Sequence, residues 1–248
     1  MGNVRIGTAG WNVPREFAGL CAADGTHLER YGAAMDCVEV NSSFYRVHKP
    51  AVWARWAAAV PADFRFAVKA PKAVTHGAKL VGCGGLLVEF FGQLTGLGEK
   101  LGPVLFQLPP KRGFEAGVAR EFFDTLREVY AGAVVLEPRH ESWFTGEAER
   151  LLREFGVSRV AADPPKGSML AARPGGEMGV RYFRWHGSPR TYWSAYDSAR
   201  LEGLAGELKG YSGGESWVIF DNTAAGAAMG NAVELRGFVE RGATADSL

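Results

Sequence analysis

Cysteine is scarce in these 248 residues, with three in all. Cys21, Cys37 and Cys83 form no C-x-x-C pair and have no zinc-finger spacing, so reduced thiols in a cytoplasmic protein are expected and a disulfide framework is not. Long apolar runs are lacking too. No stretch approaches the roughly 20 residues of a membrane span, and Met1 to Arg5 lead straight into a strand pattern, so no signal peptide and no membrane partner are expected. Nor is one sign of charge in excess. With 28 Lys and Arg against 27 Asp and Glu the net charge is +1, which disfavours a long nucleic-acid footprint, although a neutral total can hide a local basic patch. Phosphate-loop and dinucleotide fingerprints are missing around Gly82–Gly85 and Gly7–Gly10, and no cofactor is expected. Without a G-x-S-x-G elbow or a cysteine signature, a Ser or Cys nucleophile is disfavoured.

What is present is an alternation of apolar strands and amphipathic helices. Strand patterns fall at residues 4–8, 37–41, 65–69, 103–108, 134–136, 158–163, 180–187 and 216–222. Helical spacing separates most of them, as in Val118, Phe122, Leu126 and Val129, and Thr145 is placed to cap a helix that Gly156 ends. Eight such units in this length predict a single (β/α)8 TIM barrel over residues 1–248.

Polar residues recur where the strands stop. Val134-Val135-Leu136 runs directly into Glu137-Pro138-Arg139-His140, and Pro138 halts the ladder there. Glu39, Lys69, Gln107, Asp163, Arg184, His186, Asp221 and Asn222 hold the equivalent place on other strands, which puts a site at the carboxyl end of the barrel. A closed ion network accounts for the same residues in purely structural terms, because their charges nearly cancel. The candidate catalytic groups are Glu137, Asp163, His186 and Glu39, with Glu137 and Asp163 as an acid and base pair. Candidate binding groups are Trp11, Asn41, Tyr45, Lys69, His76, Gln107, Arg139, His140, Trp143, Arg184, Asp221 and Asn222. Arg139, Arg184 and Lys69 suit a phosphate or carboxylate, and aromatic walls from Trp11, Phe44, Tyr45, Trp143, Trp185 and Trp193 suit a flat ring or sugar face.

Several stretches together resemble the YecE-like family, domain of unknown function 72. They are Gly7-Thr8-Ala9-Gly10-Trp11, Val38 to Tyr45, Phe66 to Pro71 with Thr75-His76, Gln107 to Pro110, Glu137 to Trp143, Asp163, Arg184 to Gly187, and Phe220-Asp221-Asn222 with Asn231-Ala232. The resemblance implies a TIM barrel and names no reaction. Two positions depart from the family pattern: Val13 stands where an aromatic residue is usual, and Asp221 where Asn is common. The expected function is a metal-independent hydrolase, lyase or isomerase acting on a small anionic, phosphorylated or sugar-like compound. A binding module for a nucleotide or a single-stranded nucleic-acid end is the alternative. A divalent-metal enzyme is the second, disfavoured because Lys69, Arg139 and Arg184 would repel a cation.

Overall fold

A computed structural model describes residues 3–21 and 24–245. Parallel strands β1 Asn3–Ala9, β2 Cys37–Val40, β3 Arg65–Lys69, β4 Leu101–Gln107, β5 Val134–Glu137 and β6 Val157–Arg159 pair in chain order. β7 Ala161–Asp163, β9 Val180–Trp185 and β10 Glu215–Phe220 continue round to β1. β6 and β7 are one run of chain that changes partner at Val160, whose N–H donates to the Leu136 carbonyl at 2.9 Å, and this closes the barrel. The predicted strand over residues 158–163 is therefore split. A short β8 at Gly175–Gly176, absent from the sequence reading, pairs antiparallel with β6. The architecture is the predicted TIM barrel.

Helices α1 His27–Ala34, α2 Pro50–Ala58, α3 Gly84–Leu94, α4 Ala116–Val129, α5 Gly146–Glu154, α6 Ser198–Lys209 and α7 Ala227–Ala245 follow the strands. Local chemistry starts them: Thr26 and Glu29 form a reciprocal capping box on α1, Pro50 opens α2, and Thr145 and Asp197 cap α5 and α6. Among the described residues no helix is long and apolar enough to cross a membrane.

Two apolar regions hold the fold. The larger lies between strands and helices, where Val38, Phe66, Phe106, Leu136 and Phe183 meet helix residues such as Phe122, Leu152 and Leu204. The smaller fills the barrel itself, with Cys37, Ala67, Leu105, Val135, Val160, Tyr182, Trp217 and Ile219. Trp217 stacks on Tyr182 at 6.1 Å, and these two are the largest side chains of the interior cluster. Gly7 lets β1 and β2 approach at this level. A Cβ there would lie 2.2 Å from the Cys37 carbonyl oxygen, a contact that backbone movement alone can relieve. Gly7→Ala should cost about 1–3 kcal/mol, the usual penalty of overpacking, read as a lowered urea midpoint with an unchanged slope.

Candidate functional site

Side chains two apart on a strand share a face, and the apolar interior therefore fixes what stands above it. Cys37, Ala67, Leu105, Val135, Tyr182 and Ile219 point inward, so Glu39, Lys69, Gln107, Glu137, Arg184 and Asp221 point inward one step nearer the carboxyl end. A polar layer thus rests on a dry one. Parallel register sets Gln107 beside Glu137, and His186 follows Arg184 on the same face.

Arg184 is the centre of this layer. Its guanidinium donates from Nε and Nη2 to the two oxygens of Glu39 at 2.9 and 2.7 Å, from Nη1 to Glu137 Oε2 at 2.5 Å, and from Nη2 to Asp221 Oδ2 at 3.1 Å. Tyr182, two residues earlier on β9, donates its hydroxyl to Glu39 Oε2 at 2.9 Å. Glu137 Oε1 also receives Arg139 Nε and Nη2 at 2.9 and 2.8 Å, and Gln107 Nε2 at 3.4 Å. Burial acts most strongly on Glu137 and would raise its pKa, but Arg184, His186 and Arg139 hold it well below the usual carboxylate value. Glu137 is consequently an ionised carboxylate whose lone pairs are occupied. A carboxylate held ionised in this way does not suit the general acid of the expected acid and base pair.

His186 turns Nδ1 to Asp221 Oδ2 at 2.9 Å, while its Nε2 stands 3.6 Å from Glu137 Oε1 with no hydrogen bond among the described residues. Burial and Arg184 oppose a charge on this ring, yet Asp221 and Glu137 carry its pKa above the ordinary imidazole value. Asp221 answers in the opposite sense: burial favours its neutral form, but Arg184 and His186 keep it below the normal range.

Lys69 differs from its neighbours. Its ammonium sits 4.3 Å from the Phe44 ring centre and makes no hydrogen bond or ion pair among the described residues. Burial first, and then repulsion by Arg184, lower its pKa to about 8, against the pull of Glu39, Glu137 and Asp221. The backbone beneath is pinned, since Ser43 Oγ donates to the Lys69 carbonyl at 2.7 Å. His76 lies alongside, edge-on to Phe44 at 5.2 Å, with its pKa lowered by burial and then by Lys69.

The remaining expected site residues are placed elsewhere. Asp163 pairs in register with outward-facing Trp185, so it points away from the mouth, where Tyr196 donates to it at 2.9 Å and Arg200 pairs with it. Asn222 donates to Ser194 O and Asn231 Oδ1, both at 2.9 Å, and ties the loop after β9 to α7. Trp143 is buried against Phe114 with its indole N–H on the Arg112 carbonyl at 3.0 Å, and Trp185 packs outward on Tyr196. His140 accepts from the Ser142 N–H at 3.3 Å and caps a helical turn. Arg184 has all three guanidinium nitrogens engaged with carboxylates, which leaves it no paired fork for a ligand. Trp11 and Asn41 line a neighbouring pocket with Trp56 and Arg46. Tyr45 stands 79% exposed on the rim.

Two residues escaped the sequence reading. Tyr182 was legible from the inward alternation Tyr182, Arg184, His186. Tyr192 was not: it lies in a loop, holds a left-handed backbone at φ 70°, and sets its ring 5.8 Å from His186. Its backbone is fastened on both sides, by its own N–H to the His186 carbonyl and by the Ala224 N–H to its carbonyl. Strain of this kind is stored where a side chain must be held over a site.

Comparison with known proteins bears on the family and the fold. The family described as "Protein of unknown function DUF72" matches residues 5–247. The UPF0759 protein YecE of Escherichia coli K12 is 36% identical over 181 residues, 70% of this chain and 63% of that protein, so the match spans less than two thirds of the relative's length. A DUF72 family protein from Thermotoga maritima superposes with a TM-score of 0.76 at 25% identity, over 96% of this chain and 99% of that one. One from Enterococcus faecalis V583 gives 0.81 at 19% identity, over 96% and 95%, and supports the fold alone. A barrel of this topology, matched by the family across nearly its whole length, leaves one assignment: the chain belongs to the DUF72 family.

Proposed function

We propose that the barrel mouth is a metal-independent active site in which the Lys69 amine reacts with a small anionic carbonyl compound, in a lyase or isomerase step. The observation that carries this reading is Lys69 itself, an inward amine drawn to a pKa of about 8 and left without an ionic partner among the described residues. Such an amine is partly neutral near physiological pH, and only the neutral form is a nucleophile or base. Its nitrogen would add to the carbonyl carbon as the C=O π electrons move to oxygen. That oxygen takes one proton from the amine and one from an acid and leaves as water. The protonated imine that results withdraws electrons from the adjacent carbon, which assists loss of a proton or cleavage of a C–C bond there. His186, whose imidazolium persists to higher pH than usual, is the acid we assign.

The metal-independent part rests on Arg184, whose guanidinium occupies the Glu39, Glu137 and Asp221 oxygens that a divalent ion would need. Arg139, partly exposed and with Nη1 left over from its bonds to Glu137, is the group we assign to the substrate's anion. The three cysteines are unpaired, and we place the reaction in the reducing cytoplasm.

Amine acetylation followed residue by residue across pH tests the carrying observation: Lys69 should show its half-maximal rate near pH 8, against roughly 10.4 for surface lysines. Borohydride reduction in the presence of oxo acids and sugar phosphates should then leave a mass adduct on Lys69. Titration of Lys69 together with the surface lysines, or no adduct from any of these compounds, would remove the amine from this role.

A further inference from the structure

Every loop that follows a barrel strand opens on the carboxyl end, and the charges of these loops are unevenly divided. Residues 41–49, 70–83, 164–174 and 186–196 contain no Asp or Glu. The loop after β1 holds Glu16 and Asp24 beside Arg15, those after β4 and β5 hold Glu115 and Glu141, and Asp221 follows β10. Glu115 is taken by Arg112 at 2.7 Å and Asp221 by Arg184 and His186, so cations still outnumber acids on this face. Around the mouth stand Arg46 and Lys49 after β2, Lys72 after β3, Lys111 after β4, Lys166 after β7 and Arg190 after β9, all exposed. None of the six has a carboxylate partner among the described residues, and Arg190 instead lies 4.3 Å from the Trp193 ring centre. Balancing carboxylates stand on the outer helices, for example Glu121, Asp124 and Glu128 of α4 and Glu202 and Glu207 of α6. The net charge of +1 thus conceals a cationic face.

A second feature lies beside Arg46, one of these cations. Trp11 and Trp56, edge to face at 5.0 Å and 70°, line a pocket of about 320 Å³ with Asn12, Asn41 and Arg46, a volume within the usual range of about 300–1,000 Å³ for ligand sites. Asn41 Oδ1 is buried there without a hydrogen-bond partner among the described residues, an acceptor awaiting a donor. Tyr45, Tyr192 and Trp193 add exposed rings to the same face, at 79%, 43% and 45% exposure.

We infer that the carboxyl-end face binds a single-stranded polynucleotide, with its phosphates on the cationic loops and one unstacked base in the Trp11–Trp56 pocket. A repeating anion accounts for cations spread over five loops, more than one small anion can touch. The pocket decides which polyanion. A base offers a flat ring to the indoles and an exocyclic N–H to Asn41 Oδ1, whereas polyphosphate offers neither and a lipid surface does not reach into a recess. A duplex keeps its bases stacked and is disfavoured for the same reason. This takes the mouth as the reacting site, as proposed above, and adds what surrounds it. Because the test reads binding alone, it fails or succeeds independently of any chemistry at Lys69.

Fluorescence anisotropy with a labelled single-stranded DNA of about 12 nucleotides, inside the ~4–16 nucleotide span of comparable sites, tests the proposal on the full chain. Affinity should fall with salt along a log–log slope of about −3.5 if five phosphates are neutralised. Lys49→Glu with Lys72→Glu should flatten that slope and weaken binding. Trp11→Ala should weaken it roughly fivefold or more, the loss expected for one stacked base, while leaving polyphosphate binding unchanged. Asn41→Ala, a smaller change in packing, should act in the same direction. The proposal is overturned by any of four results: no binding at low salt, equal affinity for the duplex, equal affinity for polyphosphate with no effect of Trp11→Ala, or preference for phosphatidylserine vesicles over DNA.

Discussion

Arg184→Met should lower folding stability by about 3–5 kcal/mol, the usual cost of removing one partner from a buried ion network. Against a total of about 5–15 kcal/mol for a protein domain, that is enough to leave the variant marginal. Glu39, Glu137 and Asp221 would remain in the barrel with their shared counter-charge gone. The slope of stability against pH should also reverse. In the wild type, Glu137 and Asp221 have folded-state pKa values below their unfolded values of 4.5 and 3.8. Their contribution is complete above those unfolded values and is lost as pH falls through the folded ones. Without Arg184 the largest of the influences that lower the Glu137 pKa is gone and burial is opposed only by Arg139 and His186. That pKa should rise, and the variant should lose stability as pH rises and recover part of it on going from about pH 8 to about pH 5. Urea unfolding at the two pH values measures both effects, and Arg184→Lys, which keeps the charge and loses the fork, should fall between. A variant as stable as the wild type, with the same pH slope, would show that the network is not what holds the mouth together.

Lys69→Met should have the opposite effect on stability and a larger one on chemistry. The unfolded amine titrates near 10.5 and the folded one near 8. Below pH 8 both states carry the proton, and the folded state bears the burial penalty, which Met does not. Between about pH 8 and 10.5 the unfolded chain still holds a proton that the folded chain has released, so wild-type stability rises with pH, and the variant should lack that rise. Stability at pH 7 should therefore increase on substitution, while borohydride trapping disappears and any turnover falls by roughly 10²–10⁴. Reduced stability at pH 7 would instead make Lys69 a structural counter-charge for Glu39 and Glu137, and would take it out of the proposed reaction.

The role proposed for Lys69 follows from what its neighbours already hold. Glu137 has four donors on two oxygens, and Arg184 has carboxylates on all sides, so the residues with the strongest formal charges are the ones least free to meet a substrate. In the proposed reaction their part is to fix the geometry and the field that Lys69 and His186 experience.

How much of this the sequence by itself determined follows from the range of each interaction. The barrel was legible because strand alternation and helix spacing are local, so Val134 to Leu136 or Val118 to Val129 declare their structure within a few residues. Inward alternation likewise brought Glu39, Lys69, Gln107, Glu137 and Arg184 to one layer, since residues two apart share a face whatever the fold does next. The split at Val160 and the outward turn of Asp163 were not legible, because the strand changes partner there and its register depends on β9, about twenty residues later. Nor could Arg184 be known as spent: its partners Glu39, Glu137 and Asp221 lie 145, 47 and 37 residues away in the chain, and only closure of the barrel brings them within hydrogen-bonding distance. Net charge failed for a related reason, being a sum without position, and it was the topology that set the unpaired cations on one face and the balancing carboxylates on the helices.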